Sequence, residues 1–189
     1  KGNGGPVEKL TWELQRFLCN VRIPLQDIDG IAVGRGPGSW TGTRVGIVTA
    51  KVLAFTINKP LVGVSSFDAL MEGSGLRQGK IFVINDFGAK RVFLGNYEVS
   101  NGAYKRIEDY QIVEVMELDS HAYRGGTIIG KGTVKHWDTL ARFKDISVLP
   151  RMVFPQSRHI ALIGLRALTS GSVDDCYTLT PIYVSLPKA

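Results

Sequence analysis

The sequence predicts an α/β protein built as two lobes. Three observations carry that prediction. A short apolar run, Ile31–Gly34, leads through a glycine-rich elbow into one long apolar segment, and a second short apolar run, Leu61–Val64, comes after it. A Gly- and Ser-bearing stretch at 73–79 then separates this alternation from a series of strand-like runs that begins at Lys80. Short buried strands alternating with helices place a sheet in the middle and helices on its faces. The expected lobes are residues 1–72, N-terminally incomplete, and 80–189, the second closing on an extended tail.

The chain opens on Lys1-Gly2-Asn3-Gly4-Gly5-Pro6, a glycine-rich tail with no strand ahead of the first helix, which for this class predicts that an earlier strand or hairpin is missing. Val7, Leu10, Leu14, Phe17 and Leu18 recur at helical spacing, so an amphipathic helix is expected from Pro6 to Asn20. Trp12 lies off that stripe and marks either a packed rim or a partner contact. A loop with Pro24 and the turn-prone Asp27–Gly30 leads to the Ile31–Gly34 strand.

Gly36-Pro37-Gly38-Ser39 supplies a sharp turn, since glycine tolerates positive φ, Pro37 fixes its own φ, and Ser39 or Thr41 can cap the next helix. That helix is expected from Thr41–Thr43 to Ile57. Its Gly42, Gly46, Ala50 and Ala54 recur every fourth residue, a stripe along which a partner helix could come close. Val45, Ile47, Val48, Val52, Leu53, Phe55 and Ile57 cover most of the rest, interrupted only by Arg44, Thr49, Lys51 and Thr56. A helix apolar nearly all round must be buried nearly all round. Its own sheet covers one side; a neighbouring helix or another protein must cover the other.

Asn58-Lys59-Pro60 stops that helix before the Leu61–Val64 strand, and Ser65 to Met71 reads as a short capped helix. In the second lobe, strands are expected at Lys80–Ile84 and Arg91–Val99 about a turn at Asn85–Gly88, with a further turn at Ser100–Gly102 and a strand at Gln111–Val115. Thr127–Gly130 starts a parallel unit: strand, a helix from Thr133 carrying Val134, Trp137, Leu140 and Ala141, then the strand Ile146–Leu149. A last helix from Ser157 bears Ile160, Ile163, Ala167 and Leu168 and ends at Gly171; Thr180–Val184 is extended.

With 44% hydrophobic and 21% charged residues in 189, this is an ordinary globular composition. Lys51 and Lys59 break the longest apolar run short of the roughly 18–20 residues of a membrane span, and no signal peptide is visible, so the expected location is the cytoplasm. Cys19 and Cys176 are far apart and predict reduced core thiols. The net charge of +6 comes from scattered basic residues, which permits an RNA or acidic partner without demanding one.

Little points to catalysis. The Gly34–Gly38 elbow could hold an anion on backbone N–H groups, with Gly36, Gly38, Ser39 and Thr41 as the candidate loop, but no Gly-Lys-Ser/Thr comes after it and the dinucleotide spacing is absent. His121, His136 and His159 fit no metal-ligand spacing, so no metal is expected, and His136 and His159 read as surface or packing residues. Asp86 sits at a turn between strands with no second acid paired with it in sequence, and Ser39 is no nucleophile elbow; no catalytic residue is expected.

The stretch Gly34-Arg35-Gly36-Pro37-Gly38-Ser39-Trp40-Thr41-Gly42-Thr43-Arg44-Val45-Gly46, then Ala50-Lys51 and Pro60-Leu61-Val62-Gly63-Val64-Ser65-Ser66, closely resembles the TsaB (YeaZ) family, whose hallmark is Gly-Pro-Gly-Ser-Phe-Thr-Gly-x-Arg-x-Gly with a later Gly-Val-Ser-Ser/Thr. Thr180-Pro181-Ile182-Tyr183-Val184 is similar to that family's closing Pro-x-Tyr segment. The resemblance implies two lobes of the actin-like ATPase (ribonuclease H-like) fold. It also implies a non-catalytic scaffold for TsaD, the catalytic subunit that places a threonylcarbamoyl group on adenosine beside the tRNA anticodon. Packing of first-lobe helices against the partner would then use Trp12, Trp40, Gly42, Arg44, Val45, Gly46, Thr49, Ala50 and Leu53. A TsaE-type ATPase would be reached through the complex, tRNA met indirectly, and a homodimer formed through the same helices in isolation. No cofactor of its own is implied; ATP or ADP would enter only at the partner interface.

The departures are a missing first hairpin, Trp40 in place of Phe, and Asn85–Arg91 matching the family's Asp-Ala-Arg pattern only loosely. Two alternatives remain open: an ATP-binding transferase or peptidase of the same fold, which needs an acidic pair or metal cluster, and a direct tRNA-binding module, which needs clustered Lys/Arg with exposed aromatics.

Overall fold

A computed structural model describes residues 6–150 and 154–184. The glycine-rich tail expected at 1–5 lies outside them. The helices are α1 (Pro6–Val21), α2 (Trp40–Thr56), α3 (Ser66–Gly73), α4 (Lys131–Lys135), α5 (Trp137–Leu140) and α6 (Ser157–Thr169). The strands are β1 (Ile31–Gly34), β2 (Leu61–Val64), β3 (Gly79–Gly88), β4 (Arg91–Ser100), β5 (Ala103–Arg106), β6 (Gln111–Glu114), β7 (Thr127–Ile129) and β8 (Ser147–Leu149).

The chain divides into two compact units. One takes the described residues up to Arg35, then Ser39–Val64 and Ile160–Pro181; the other takes Gly36–Gly38, the described residues from Ser65 to His159, and those from Ile182. The boundary expected at 73–79 therefore falls after β2 instead, because α3 buries Phe67, Leu70 and Met71 against Ile81, Val83 and Tyr97 of the second unit's sheet. The 73–79 stretch is only the turn between a helix and the strand it covers. Residues 160–181, expected in the second lobe, return to the first.

In the first unit β1 and β2 pair parallel, Ile31 opposite Leu61 through Gly34 opposite Val64. Parallel neighbours need a crossover, and α2 is that crossover. It lays Ile47, Ala50 and Ala54 on one face of the pair, against Leu61, Leu179, Ile31 and Val33. Ala32 points to the other face, and there Gly164 of α6 comes so close that a Cβ would overlap the Ala32 methyl. Helices α1, α2 and α6 all end in Schellman-type turns, with Arg22, Asn58 and Gly171 at positive φ (56°, 52° and 75°) and backbone N–H groups of Ile23, Lys59 and Ser172 donating to the carbonyls of Leu18, Ala54 and Ala167. Gly171 was legible as a stop; Arg22 occupies a position where a Cβ is strained.

The second unit is a six-stranded mixed sheet in the order β5-β4-β3-β7-β8, with β6 also paired to β4. Even-numbered residues Phe82, Ile84, Val92 and Leu94 face a core with Val113, Leu118, Ile128 and Leu140. Odd-numbered Ile81, Val83, Tyr97 and Val99 face the α3 side. Two expectations shift here. Asn85–Gly88 stay in the ladder, with a bulge between Asp86 and Gly88, and the hairpin turns at Ala89-Lys90, both at positive φ. The helix expected from Thr133 is two short pieces broken at His136; the first starts at Lys131, and Gly130 and Gly132 pack closely against Ile84. Of the apolar residues it was expected to carry, Leu140 is buried and Val134 and Trp137 are exposed.

Ser65 caps α3, its Oγ accepting from the N–H groups of Phe67 (3.1 Å) and Asp68 (3.4 Å), and lies 2.6 Å from the Tyr110 hydroxyl. The Tyr97 hydroxyl donates to Asp68 Oδ1 at 2.7 Å. Burial, then the Asp68 charge, pushes the Tyr97 phenol far above its ordinary range, so it stays a donor that ties β4 to α3. Both thiols are free as expected, but Cys19 is exposed, not part of the core, because it falls on the solvent side of α1. The segment Thr180–Val184 is in no strand.

The Gly164 contact sets a measurable limit. Gly164→Ala gains about 1 kcal/mol of helix propensity but overpacks Ala32 at a cost of about 1–3 kcal/mol. A net loss of up to about 2 kcal/mol is expected from denaturant midpoints, and Ala32→Gly in the same background should recover part of it.

Candidate functional site

The outward side of α2 is apolar. Val48, Val52 and Phe55 are 59%, 58% and 64% exposed, and with Arg44 they form a stripe at helical spacing. Trp40 extends it at the N-terminal end, 62% exposed, with the Arg44 guanidinium 3.6 Å above its ring. Tyr177 extends it at the other end, its ring edge-on to Phe55 at 5.9 Å. Lys51, which breaks the apolar pattern in sequence, is turned aside: its ammonium donates to the carbonyls of Tyr177 (2.9 Å) and Leu179 (3.3 Å) and pins that segment. On α1, Trp12 and Phe17 are also exposed, Arg16 lying 5.0 Å from the Trp12 ring.

The nine expected interface residues separate into two groups. Trp12, Trp40, Gly42 and Arg44 are exposed or partly so on the outer surface, whereas Val45, Gly46, Thr49 and Leu53 lie toward the flanks and Ala50 is buried. Past Gly42 the small stripe thus faces inward: a Cβ on Gly46 would lie 3.9 Å from Val33, and Ala50 and Ala54 are 6% and 1% exposed beneath the helix. Periodicity defines a stripe without saying what it faces, and here its lack of bulk seats α2 on its own strands. Position 48 lies about 200° round the helix from 46, so the exposed stripe is nearly opposite the expected one. Gly46, Thr49, Ala50 and Leu53 border an apolar cavity of about 300 Å³ shared with Leu10, Leu14 and Leu18 of α1. Phe17, expected among the inward residues of α1, points to solvent. Sequence reasoning missed Phe17, Val48, Val52 and Phe55 as site residues; the signal was that one two-stranded sheet cannot cover a helix coated all round.

The elbow is built for turning. Gly36 has φ 86°, its carbonyl accepts from the Ser66 N–H at 2.8 Å, and the Pro37 carbonyl accepts from Asn85 Nδ2 at 3.4 Å. Ser39 is the N-cap of α2, its Oγ accepting from the Gly42 N–H at 3.2 Å. Of the candidate anion loop, Thr41 is exposed, and the Ser39 oxygen is occupied in capping.

Asp86 has partners the sequence did not disclose. Lys135 Nζ donates to its Oδ2 at 2.6 Å and His136 Nε2 lies 3.1 Å from its Oδ1, forty-nine and fifty residues along the chain. His136 is therefore a hydrogen-bond partner of Asp86 as well as a packed residue. Burial pushes the Asp86 carboxyl up, but the hydrogen bonds from Lys135 and His136, the Lys135 charge and the Gly88 N–H outweigh it and hold the group below the usual carboxylate range. His159 packs its ring against Gly73.

Residues 7–178 match the family model described as TsaD, tRNA N6-adenosine threonylcarbamoyltransferase. The chain is 31% identical over 173 residues to a tRNA threonylcarbamoyladenosine biosynthesis protein TsaB from Bacillus subtilis (strain 168), covering 87% of this chain and 72% of the relative. It is 34% identical over 87 residues to the protein of the same name from Escherichia coli (strain K12), 45% of this chain and 38% of that one. A crystal structure of an uncharacterized Pseudomonas aeruginosa protein with similarity to peptidase YeaZ superposes with a TM-score of 0.78 at 21% identity, covering 94% of this chain and 83% of the other. The α/β class and the actin-like, ribonuclease H-like fold expected from the sequence are thereby shown.

The Asp86 cluster has a pH signature. A carboxyl whose folded pKa is depressed stabilises the fold above its unfolded pKa and loses that contribution as pH falls through the folded value. Asp86→Asn is expected to cost on the order of 1 kcal/mol at neutral pH, with the gap from wild type closing below about pH 4. Paired urea titrations at the two pH values read this directly.

Proposed function

We infer, because the chain belongs to the TsaB family of tRNA threonylcarbamoyladenosine biosynthesis proteins, that it serves that pathway in the cytoplasm as a non-catalytic subunit which binds and supports TsaD. The observation that carries this reading is the exposed stripe of α2, Trp40, Val48, Val52 and Phe55; Trp12 and Phe17 on α1 are exposed as well. Contiguous large apolar side chains held in water mark a surface meant to be covered. Aromatic anchors with an Arg at the rim are the usual make-up of a protein-binding centre. The stripe replaces the Gly46–Ala54 groove as the contact surface.

The same stripe supports self-association when TsaD is absent, since a two-fold arrangement would cover it with a second copy. The non-catalytic reading is supported by Asp86. A carboxylate held low by hydrogen bonds from Lys135 and His136 is ionised at neutral pH and has no proton to give as a general acid. Nucleotide at the partner interface, contact with a TsaE-type ATPase and indirect contact with tRNA all come from the complex, not from a group on this chain alone.

Val52→Asp places a charge on the outer face without touching the core. It is expected to weaken TsaD binding by about 2–3 kcal/mol, on the order of 100-fold, in calorimetry or co-purification, while the thermal midpoint of the isolated chain stays put. The same variant should sediment as a smaller species if wild type self-associates. Unchanged TsaD affinity in both Val52→Asp and Phe55→Asp would remove the interface.

A further inference from the structure

After α6 the chain returns along β2 through residues 174–179, a stretch outside any helix or strand that is nonetheless anchored along its length. Asp174 forms an isolated antiparallel bridge with Leu61, its N–H donating to the Leu61 carbonyl at 2.8 Å. Its Oδ2 accepts from the Gly63 N–H at 2.8 Å, and Arg35 Nη1 lies 3.9 Å from its Oδ1. At the far end Leu179 is buried with Ile47, Ala50, Ala54 and Leu61, so close to β2 that a Cβ on Gly63 would overlap its side chain. Between these ends Asp175 closes a turn: its Oδ1 accepts from the Tyr177 N–H at 2.6 Å, and its carbonyl accepts from the N–H groups of Thr178 (3.2 Å) and Leu179 (2.9 Å). The crown of the turn is Tyr177, 74% exposed, whose ring meets only the edge of Phe55 on the α2 stripe. The Asp174 bridge and Leu179 already fasten the stretch to β2. Lys51, immobilised on the Tyr177 and Leu179 carbonyls at a cost in side-chain entropy, additionally fixes the backbone that carries the ring.

We propose that residues 174–179 are a rigid arm of the surface that binds TsaD, with Tyr177 as an aromatic anchor and Lys51 as the residue that positions it. The proposal rests on the TsaD-binding reading of the α2 stripe and adds to it a second chain segment, more than a hundred residues away in sequence. A large aromatic ring presented on fixed backbone loses little freedom when it is covered, so more of its burial appears as affinity. The contact with Phe55 makes the two rings one projecting ridge, and the occupant it fits is an apolar groove on TsaD wide enough for both. Lys51, a break in the apolar coat of α2 when read in sequence, is on this account what couples the helix to the arm.

The test is a calorimetric titration of the full chain with purified TsaD, with Val52→Asp as the reference for the stripe. Tyr177→Ala is expected to weaken binding on the order of tenfold while the thermal midpoint of the isolated chain stays put, because the ring lies outside the core. Tyr177→Phe, which keeps the ring, should remain within about threefold of wild type. Lys51→Met keeps the apolar stem and removes the donor; it should cost about fivefold when Tyr177 is present and less than about twofold in the Tyr177→Ala background, since with no anchor there is nothing to position. A merely structural lysine would lower affinity equally in both backgrounds, and that result would overturn its positioning role. Full affinity in Tyr177→Ala alongside a loss in Val52→Asp would overturn the arm and leave the stripe reading standing. Full affinity in Val52→Asp alongside a loss in Tyr177→Ala would overturn the shared surface, and full affinity in both would remove the stripe reading together with the arm.

Discussion

A helix coated with apolar side chains on every side cannot be satisfied by a sheet of two strands, and the first unit is organised by that mismatch. The β1–β2 pair is parallel, so its connection must cross over one face, and α2 is spent on that face. Ile47, Ala50 and Ala54 are then under the helix. Val48, Val52 and Phe55 are left above it, each representing about 1.5–3 kcal/mol of burial not taken within this chain. The two basic residues that interrupt the coat do little to soften the face. Lys51 reaches sideways to the Tyr177 and Leu179 carbonyls, and Arg44 lies flat on Trp40. The surface left over is an apolar stripe along the solvent side of α2.

Much of the fold was legible because local chemistry and global need agreed. The Ile31–Gly34 and Leu61–Val64 runs, the Ser39 and Ser65 caps and the Gly171 stop are each written in a few adjacent residues, and each appears where the sequence puts it. The misplaced features are those where tertiary packing overruled a local signal. Asn85-Asp86-Phe87-Gly88 has ideal turn chemistry, yet β4 continues the ladder past it, and the glycine is used for a bulge while Ala89-Lys90 turns the chain. The 73–79 stretch has linker composition, yet α3 is fastened to β3 and β4 through Phe67, Leu70 and the Tyr97–Asp68 bond.

The site was half legible for a related reason. Sequence showed that α2 must be covered on both sides but not which side the sheet takes, and the small stripe pointed the wrong way. Gly46, Ala50 and Ala54 offer close approach to whatever lies beneath, and β1 with its Ile31 and Val33 is nearer than any other molecule. The Asp86 cluster was not legible at all. Its partners arrive through the β7–α4 crossover, and no spacing rule joins residue 86 to 135 and 136.

That cluster also bears on the choice between scaffold and enzyme. A carboxyl that acts as a general acid near neutral pH needs a raised pKa, which requires burial or a like charge to win over opposite charge. At Asp86 the balance runs the other way: a quarter of the side chain is exposed, which limits the upward push of burial, and two basic groups sit within hydrogen-bond reach. The ion pair instead joins the bulge of β3 to the break between α4 and α5, two irregular points of the backbone. Asp86 thereby ties two irregular points of the backbone together, while Val48, Val52 and Phe55 on α2 stay exposed.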